Sequence, residues 1–256
     1  MLLAVDIGNS NIVLGIYQNT EWTHLWRIPT EIEQTAKHYN KEIKAHFKNA
    51  NLDSKQLETL VLSSVVPPLT EIIRQILEEI STQSVILVGA ETYDFLTLTI
   101  DNPKEIGTDL VANAVAAYTI YQQDCIVVDF GTALTFTTVD VKGSVQGVAI
   151  APGLVTAMKA LFGNTAQLPQ VPLELPDSVV GKNTIHAIQS GILWGYIGMV
   201  RQIIQKTREE LGEQYLAVAT GGLSSILHPL KEDFHTINPY LTLDGLRIIA
   251  GKMQSK

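Results

Sequence analysis

The residues best suited to chemistry are three aspartates, Asp6, Asp109 and Asp129, each with a glycine two positions away. A carboxylate at the end of a strand or helix can ligate a cation or accept a proton, and adjacent turn amides and hydroxyls can bind phosphate. Transfer of a phosphoryl group to an acceptor hydroxyl requires these groups. For each aspartate alone, and for Asp109 in particular, a helix cap is an equally good interpretation, but the three together favour function.

Two of these aspartates belong to a short motif that occurs twice, as Asp-x-Gly-Asn from Asp6 and as Asp-x-Gly-Thr from Asp129. Each copy follows an apolar run and precedes a strand-like segment, which indicates one supersecondary unit present twice. We expect the two copies to face each other across a nucleotide cleft. Neither a P-loop nor a protein-kinase glycine loop occurs, so phosphate binding would depend on these turns.

The elements that position these residues follow a repeated order. Each half opens with a three-stranded meander, and an alanine-rich helix from Leu110 to Tyr121 precedes the second one. A long helix begins at Thr184 and has glycines along one flank, which is typical of close contact with another helix, here that of a second subunit. We predict an α/β protein with mixed sheets and two domains, residues 1–118 and 119–256, the second carrying the dimerisation helix.

Composition excludes several functional classes. The chain is 46% hydrophobic with a net charge of −8, and it has no cluster of basic residues that would bind the phosphates of a nucleic acid. The apolar run before Asp6 is too short for a signal peptide or a membrane span. Cys125 is the sole cysteine, which excludes an internal disulfide and indicates a reducing, cytoplasmic compartment.

Six ordered blocks together resemble the type III pantothenate kinases. They are DIGNSNIVLGIY, DNPKEIGTDLVANAVAAY, VVDFGTALTF, IAPGL, GKNT followed by QSG, and TGGL. That family belongs to the actin, sugar kinase and Hsp70 superfamily, so the resemblance implies two ribonuclease H-like, actin-like ATPase domains and a homodimer. It also implies ATP-dependent phosphorylation of pantothenate, the first step towards coenzyme A, with Mg²⁺ accompanying the nucleotide.

The resemblance assigns roles to individual residues. Asp109 would be the general base, and Asp129 would ligate a monovalent cation, K⁺ or NH₄⁺. ATP would contact Thr132 and the first turn, which consists of Asp6, Ile7, Gly8, Asn9, Ser10, Asn11, Ile12 and Val13. Pantothenate would contact Gly107, Thr108, Asp109, Leu110 and Thr184.

Two positions depart from the family pattern. Leu110 stands where the family has the arginine that pairs with the pantothenate carboxylate, and Ile100 stands where it has a tyrosine. Loss of a bidentate guanidinium contact costs about 1.5 to 3 kcal/mol. Candidates for a replacement cation are Lys104, Lys159 and Lys182. The alternative functions are a nucleotide-binding regulatory protein without pantothenate kinase activity and a kinase for another hydroxylated acceptor.

Overall fold

The computed structural model describes residues 1–165, 168–222 and 227–254. They form two compact units, one of Met1–Ala116 with the C-terminal segment from Leu241, the other of Ala117–Tyr240. In chain order the elements are β1 (Leu2–Ile7), β2 (Asn11–Gln18), β3 (Glu21–Pro29), α1 (Ala36–Asn49), β4 (Thr59–Ser64), α2 (Pro67–Ser81), β5 (Val85–Leu87), α3 (Ala90–Tyr93), α4 (Thr108–Tyr121), β6 (Cys125–Phe130), β7 (Ala133–Val139), β8 (Val145–Pro152), α5 (Leu154–Gly163), α6 (Thr184–Leu211), β9 (Leu216–Thr220), β10 (Thr236–Ile237) and α7 (Leu241–Gln254).

The first unit is built on a five-stranded mixed sheet in the order β3-β2-β1-β4-β5. Strands β1 to β3 form an antiparallel meander, and β4 and β5 continue the sheet parallel to β1. Alternate residues of β1 and the apolar faces of α1 and α2 form one core with members such as Leu3, Tyr39 and Ile73. Prolines 67 and 68 open α2, where the first turn needs no backbone donor.

The second unit repeats this sheet. Its order is β10-β9-β6-β7-β8, with β6 to β8 antiparallel and with β9 and β10 parallel to β6. Strand β6 therefore corresponds to β1, and the aspartate near the end of each central strand occupies the same place. The predicted mixed sheets and the internal repeat are confirmed.

The C-terminal helix corrects the predicted domain division. The sequence analysis placed residues 241–256 in the second domain, but α7 packs against β1 and β4 of the first unit. Gly245 lies directly against the Ala112 carbonyl of α4, where a side chain would not fit. The Thr242 hydroxyl donates to the Asn113 amide oxygen at 2.8 Å. The other predicted boundary, after residue 118, lies close to the observed division after Ala116.

The stretch between α5 and α6 has two interpretations in the sequence, a mobile flap or a docked connector. Residues 166 and 167 lie outside the described residues. The remainder is docked on α6, where the Gln189 amide donates to the Pro172 carbonyl at 3.0 Å and the Trp194 indole donates to the Pro176 carbonyl at 3.2 Å. Val171 packs in a small core with Met158 of α5. These contacts favour the connector.

The short helix expected after Gly222 falls partly on residues 223–226, which the structure does not describe. Within the described ranges, no helix combines the length and apolarity that crossing a bilayer requires.

Candidate active site

The first glycine turn joins β1 to β2. The Gly8 amide donates to the Asn11 carbonyl at 3.0 Å, and a side chain at Gly8 would crowd that oxygen. Thr30 fixes the turn from beyond β3, because its amide donates to the Ser10 carbonyl at 3.1 Å and its hydroxyl donates to the Gly8 carbonyl at 2.7 Å. Asn9, Ser10 and Asn11 are exposed. The turn therefore presents polar groups to solvent from a fixed backbone.

Two of the predicted ATP-contacting residues are core residues. The side chains of Ile7 and Ile12 are fully buried in the first unit. Only their backbone groups remain available to a ligand. Their apolar side chains anchor the two strands that carry the turn.

The second glycine turn joins β6 to β7 and is one residue shorter. The Gly131 amide donates to the Ala133 carbonyl at 3.1 Å. The Thr132 carbonyl accepts from the Gly153 amide at 2.9 Å and from the Thr156 hydroxyl at 2.8 Å. Gly153 lies so close to the backbone of the turn that it admits no side chain. Thr132 is itself exposed.

Asp129 lies between two strands that each place a threonine opposite it. Its register partners are Thr135 on β7 and Thr220 on β9. Gly221, the next residue after β9, has a φ of +92°, and a Cβ there would lie 2.5 Å from the Asp129 Oδ1 atom. Glycine therefore allows the backbone to approach this carboxylate.

The Thr135 hydroxyl is an unusual feature of this site. It is buried, with the residue 9% exposed, and it has no hydrogen-bond partner among the described residues. Directly paired residues of antiparallel strands present their side chains on the same face, with Cβ atoms about 4.5 to 5.5 Å apart. An orphaned hydroxyl beside a carboxylate is a suitable oxygen donor set for a hard cation.

The Asp6 carboxylate belongs to a series of hydrogen-bonded side chains that the sequence did not predict. The Ser63 hydroxyl donates to the Asp6 Oδ1 atom at 2.8 Å, and the Thr108 hydroxyl lies 2.8 Å from the Ser63 hydroxyl. Ser63 is fully buried near the end of β4, opposite Asp6 on β1. The only sequence signal was the appearance of two serines at the end of an apolar run.

Asp109 is the second residue of α4 and therefore lies inside the helix, two positions beyond Gly107, which occupies the N-cap position. Its carboxylate accepts from the Leu110 amide at 2.9 Å and occupies the space that a side chain at Gly107 would need. Burial raises the pKa of Asp109, although the hydrogen bond from the Leu110 amide opposes this shift. Burial and the negative charge of Asp109 raise the pKa of Tyr93 to about 12.

The predicted acceptor residues belong to two different units. Leu110 is only 8% exposed and presents little surface to a ligand. Thr184 is exposed at the start of α6, where it lines a groove of about 570 Å³ with Lys182 and the apolar residues Leu161, Ile188 and Ile192. Of the three candidate lysines, Lys182 alone lines this groove.

The sequence profile of the type III pantothenate kinases matches residues 2–206. The chain belongs to this family. A type III pantothenate kinase from Brevibacillus brevis is 42% identical over 255 residues, covering 100% of both chains. One from Syntrophus aciditrophicus is 39% identical over 249 residues, covering 97% of this chain and 98% of the relative.

Membership confirms the predicted activity, which is phosphorylation of pantothenate in coenzyme A biosynthesis, and with it the use of ATP and Mg²⁺. The alternative of a regulatory protein without this activity is not favoured. Component A of the (R)-2-hydroxyglutaryl-CoA dehydratase of Acidaminococcus fermentans superposes with a TM-score of 0.56 at 14% identity, covering 98% of this chain and 96% of that one. Likeness at this level concerns the fold alone, and it agrees with the predicted actin-like ATPase fold.

Proposed function

We propose that this pantothenate kinase uses Asp109 as its general base. The half-buried carboxylate of Asp109 at the start of α4 is the observation that carries this role. A carboxylate whose pKa is raised by burial accepts a proton more readily than an exposed one. In the reaction, the pantothenate hydroxyl oxygen bonds to the γ-phosphorus of ATP, the bond from that phosphorus to the β-phosphate oxygen breaks, and the hydroxyl proton passes to Asp109.

The two glycine turns would bind the phosphates. Asn9 and Ser10 in the first turn and Thr132 in the second are exposed polar residues on backbones held by hydrogen bonds. Turn amides and hydroxyls of this kind bind phosphate without a basic cluster. Mg²⁺ bound with the nucleotide would neutralise charge on the β- and γ-phosphates.

A monovalent cation, K⁺ or NH₄⁺, would bind at Asp129. The Thr135 hydroxyl supports this assignment, because among the described residues it is an oxygen donor without a partner beside the carboxylate. Gly221 lets the backbone come close to the same carboxylate. Such an ion would supply positive charge near the nucleotide.

A homodimer through α6 is consistent with its glycine flank. Apart from the backbone of α6 itself and the adjacent residues, no atom of the described residues lies within 4 Å of where a side chain would begin at Gly191, Gly195 or Gly198. Three glycines in one helix cost about 1 kcal/mol each relative to alanine, and contact with a second copy would offset that cost. We place the reaction in the cytoplasm, in keeping with the single buried cysteine.

Lys182 is our candidate for the cation that meets the pantothenate carboxylate. It is exposed and shares a groove with Thr184, so its ammonium group is available to an anion bound in that groove. The predicted result of Lys182→Gln is a KM for pantothenate raised about tenfold with little change in kcat. Lys159→Gln, an exposed lysine outside this groove, is the matched control and should leave KM unchanged.

The decisive experiment measures ADP release with ATP, Mg²⁺, K⁺ and pantothenate. We expect turnover by the wild type and a loss of about 100-fold or more in Asp109→Asn, the scale of general base catalysis. Wild-type turnover no higher than that of Asp109→Asn at millimolar substrate would contradict the proposal.

A further inference from the structure

Three side chains of the first unit form a continuous hydrogen-bonded path. It begins at Thr108, the first residue of α4, passes through Ser63 on β4 and ends at the Asp6 carboxylate on β1. Both distances along the path are 2.8 Å. Because Thr108 precedes Asp109 in the chain, the path connects the nucleotide turn to the residue next to the proposed base.

The donors and acceptors give the path a direction. An ionised carboxylate only accepts, so the single hydroxyl hydrogen of Ser63 points to Asp6. The Ser63 oxygen is then an acceptor for Thr108, whose single hydroxyl hydrogen is shared between Ser63 at 2.8 Å and the Ser64 carbonyl at 3.3 Å. Donation along the path therefore runs from Thr108 to Ser63 to Asp6.

The path is held in a buried setting. Ser63 is fully buried, and its register opposite Asp6 is set by the parallel pairing of β1 with β4. Hydrogen bonds to a carboxylate are stronger than those between neutral groups, and leaving a buried hydroxyl unpaired is costly. These conditions favour a single orientation of the Asp6 carboxylate.

We propose that Ser63 and Thr108 are positioning residues for phosphoryl transfer, which hold the Asp6 carboxylate and the first turn of α4 in one fixed arrangement. The inference rests on the proposed function, in which Asp6 belongs to the nucleotide turn and Asp109 is the base. Ser63 does not touch the reacting atoms and acts through Asp6. Its role is to keep the nucleotide turn in register with the helix that carries the base.

The test compares variants that keep or remove each hydroxyl. Thr108→Val preserves side-chain shape without the hydroxyl, whereas Thr108→Ser retains the hydroxyl, and Ser63→Ala removes the middle of the path. Ser81→Ala is the matched control, because Ser81 is also fully buried in this unit and donates to the Leu77 carbonyl at 2.8 Å.

We expect Ser63→Ala and Thr108→Val each to lower kcat about tenfold and to raise the Mg²⁺ concentration for half-maximal activity, the scale of one charge-assisted hydrogen bond. Thr108→Ser should recover most of the loss seen in Thr108→Val. Ser81→Ala should lower Tm by a similar amount to Ser63→Ala and leave kcat and the Mg²⁺ dependence unchanged. That contrast separates positioning from simple stabilisation.

The double variant Ser63→Ala with Thr108→Val should lose little more activity than Ser63→Ala alone, because both hydroxyls act on the same carboxylate. Fully additive losses, or single variants that behave like Ser81→Ala, would overturn the inference. If the wild type did not phosphorylate pantothenate, the proposed function would fail separately. In that case the dissociation constant of MgATP, measured by calorimetry in the same variants, would test the positioning role. Dissociation constants for Ser63→Ala and Thr108→Val equal to that for Ser81→Ala would overturn the positioning role.

Discussion

The two glycine turns of this kinase share one backbone plan but differ in what surrounds their aspartates. In both units the third strand of the meander ends in proline, and the next residue, Thr30 or Gly153, donates its amide to a carbonyl of the turn. Around Asp6 the hydroxyls of Ser63 and Thr108 are paired, whereas beside Asp129 the Thr135 hydroxyl has no hydrogen-bond partner in the part of the chain that the structure describes. The repeated unit therefore has two different chemical surroundings, of which the first suits the proposed positioning role and the second suits the proposed cation site.

The largest effects should come from removing each carboxylate in turn. Asp6→Asn and Asp129→Asn should both reduce turnover about 100-fold, the scale of a lost electrostatic contribution. Raising the K⁺ concentration should restore part of the activity of Asp129→Asn, because only that variant changes the proposed cation site. Titration of K⁺ in the ADP-release assay measures this difference.

If K⁺ restored activity equally to Asp6→Asn and Asp129→Asn, or to neither, the proposed cation role would not be specific to the second turn. Na⁺ at the same ionic strength is the control for general salt effects.

A smaller effect is expected at the residue that follows the register partner of each aspartate on the neighbouring parallel strand. Gly221→Ala would place a Cβ against the Asp129 carboxylate at a positive φ, so we expect about a tenfold loss of activity together with a higher K⁺ requirement. The corresponding position in the first unit is Ser64, one residue after the partner of Asp6. Ser64→Ala should cost less, since that backbone already accommodates a side chain.

Steady-state assays of both variants at several K⁺ concentrations check this prediction. Gly251→Ala, at an exposed position of α7 with open space around it, controls for substitution of glycine in general. A Gly221→Ala enzyme with the wild-type K⁺ requirement would contradict the proposed cation site.

The smallest effect concerns stability and belongs to the first unit alone. The folded-state pKa of Asp109 is raised above its usual value of 3.8, so ionisation of Asp109 opposes folding. The wild type therefore loses stability as pH rises from about 3.8 through the folded-state pKa, and Asp109→Asn is spared this loss. At pH 7 we expect Asp109→Asn to melt at least about 2 °C higher than the wild type.

In thermal melts from pH 4 to pH 8, the difference in Tm between Asp109→Asn and the wild type should increase as pH rises and then stay constant. Asp101→Asn, which removes an exposed carboxyl in the preceding loop, is the control for the loss of one negative charge. A difference in Tm that becomes smaller towards pH 7 would contradict burial of an ionised Asp109.

Local patterns in the sequence predicted most of the elements and the repeat. Apolar residues and turn signals predict a strand from Ala133 to Val139 and a long helix from Thr184 to Leu211, and β7 and α6 have these bounds. The polar stretch after Pro29 predicts a helix from about Glu31, but α1 begins at Ala36, since the Thr35 hydroxyl accepts from the His38 amide and caps the helix there.

Long-range pairings are what the sequence could not supply. Ser63 meets Asp6 because β4 pairs in parallel with β1, and no local pattern determines that register. The buried state of Leu110 and the orphaned hydroxyl of Thr135 depend likewise on neighbours distant in the chain. The roles of Asp6, Asp109, Asp129, Thr132 and Thr184 remain predictions from the family pattern.

Helix α7 makes the first unit discontinuous in the chain, with consequences for how the protein is made. The helix that covers β1 and β4 is synthesised only after the whole second unit. During translation the positions of β1 and β4 that face α7 stay uncovered until α7 has left the ribosome, whereas the second unit can fold before that. A chain that stops before Leu241 would therefore leave the strand that carries Asp6 without its cover and exposed to chaperones and proteases.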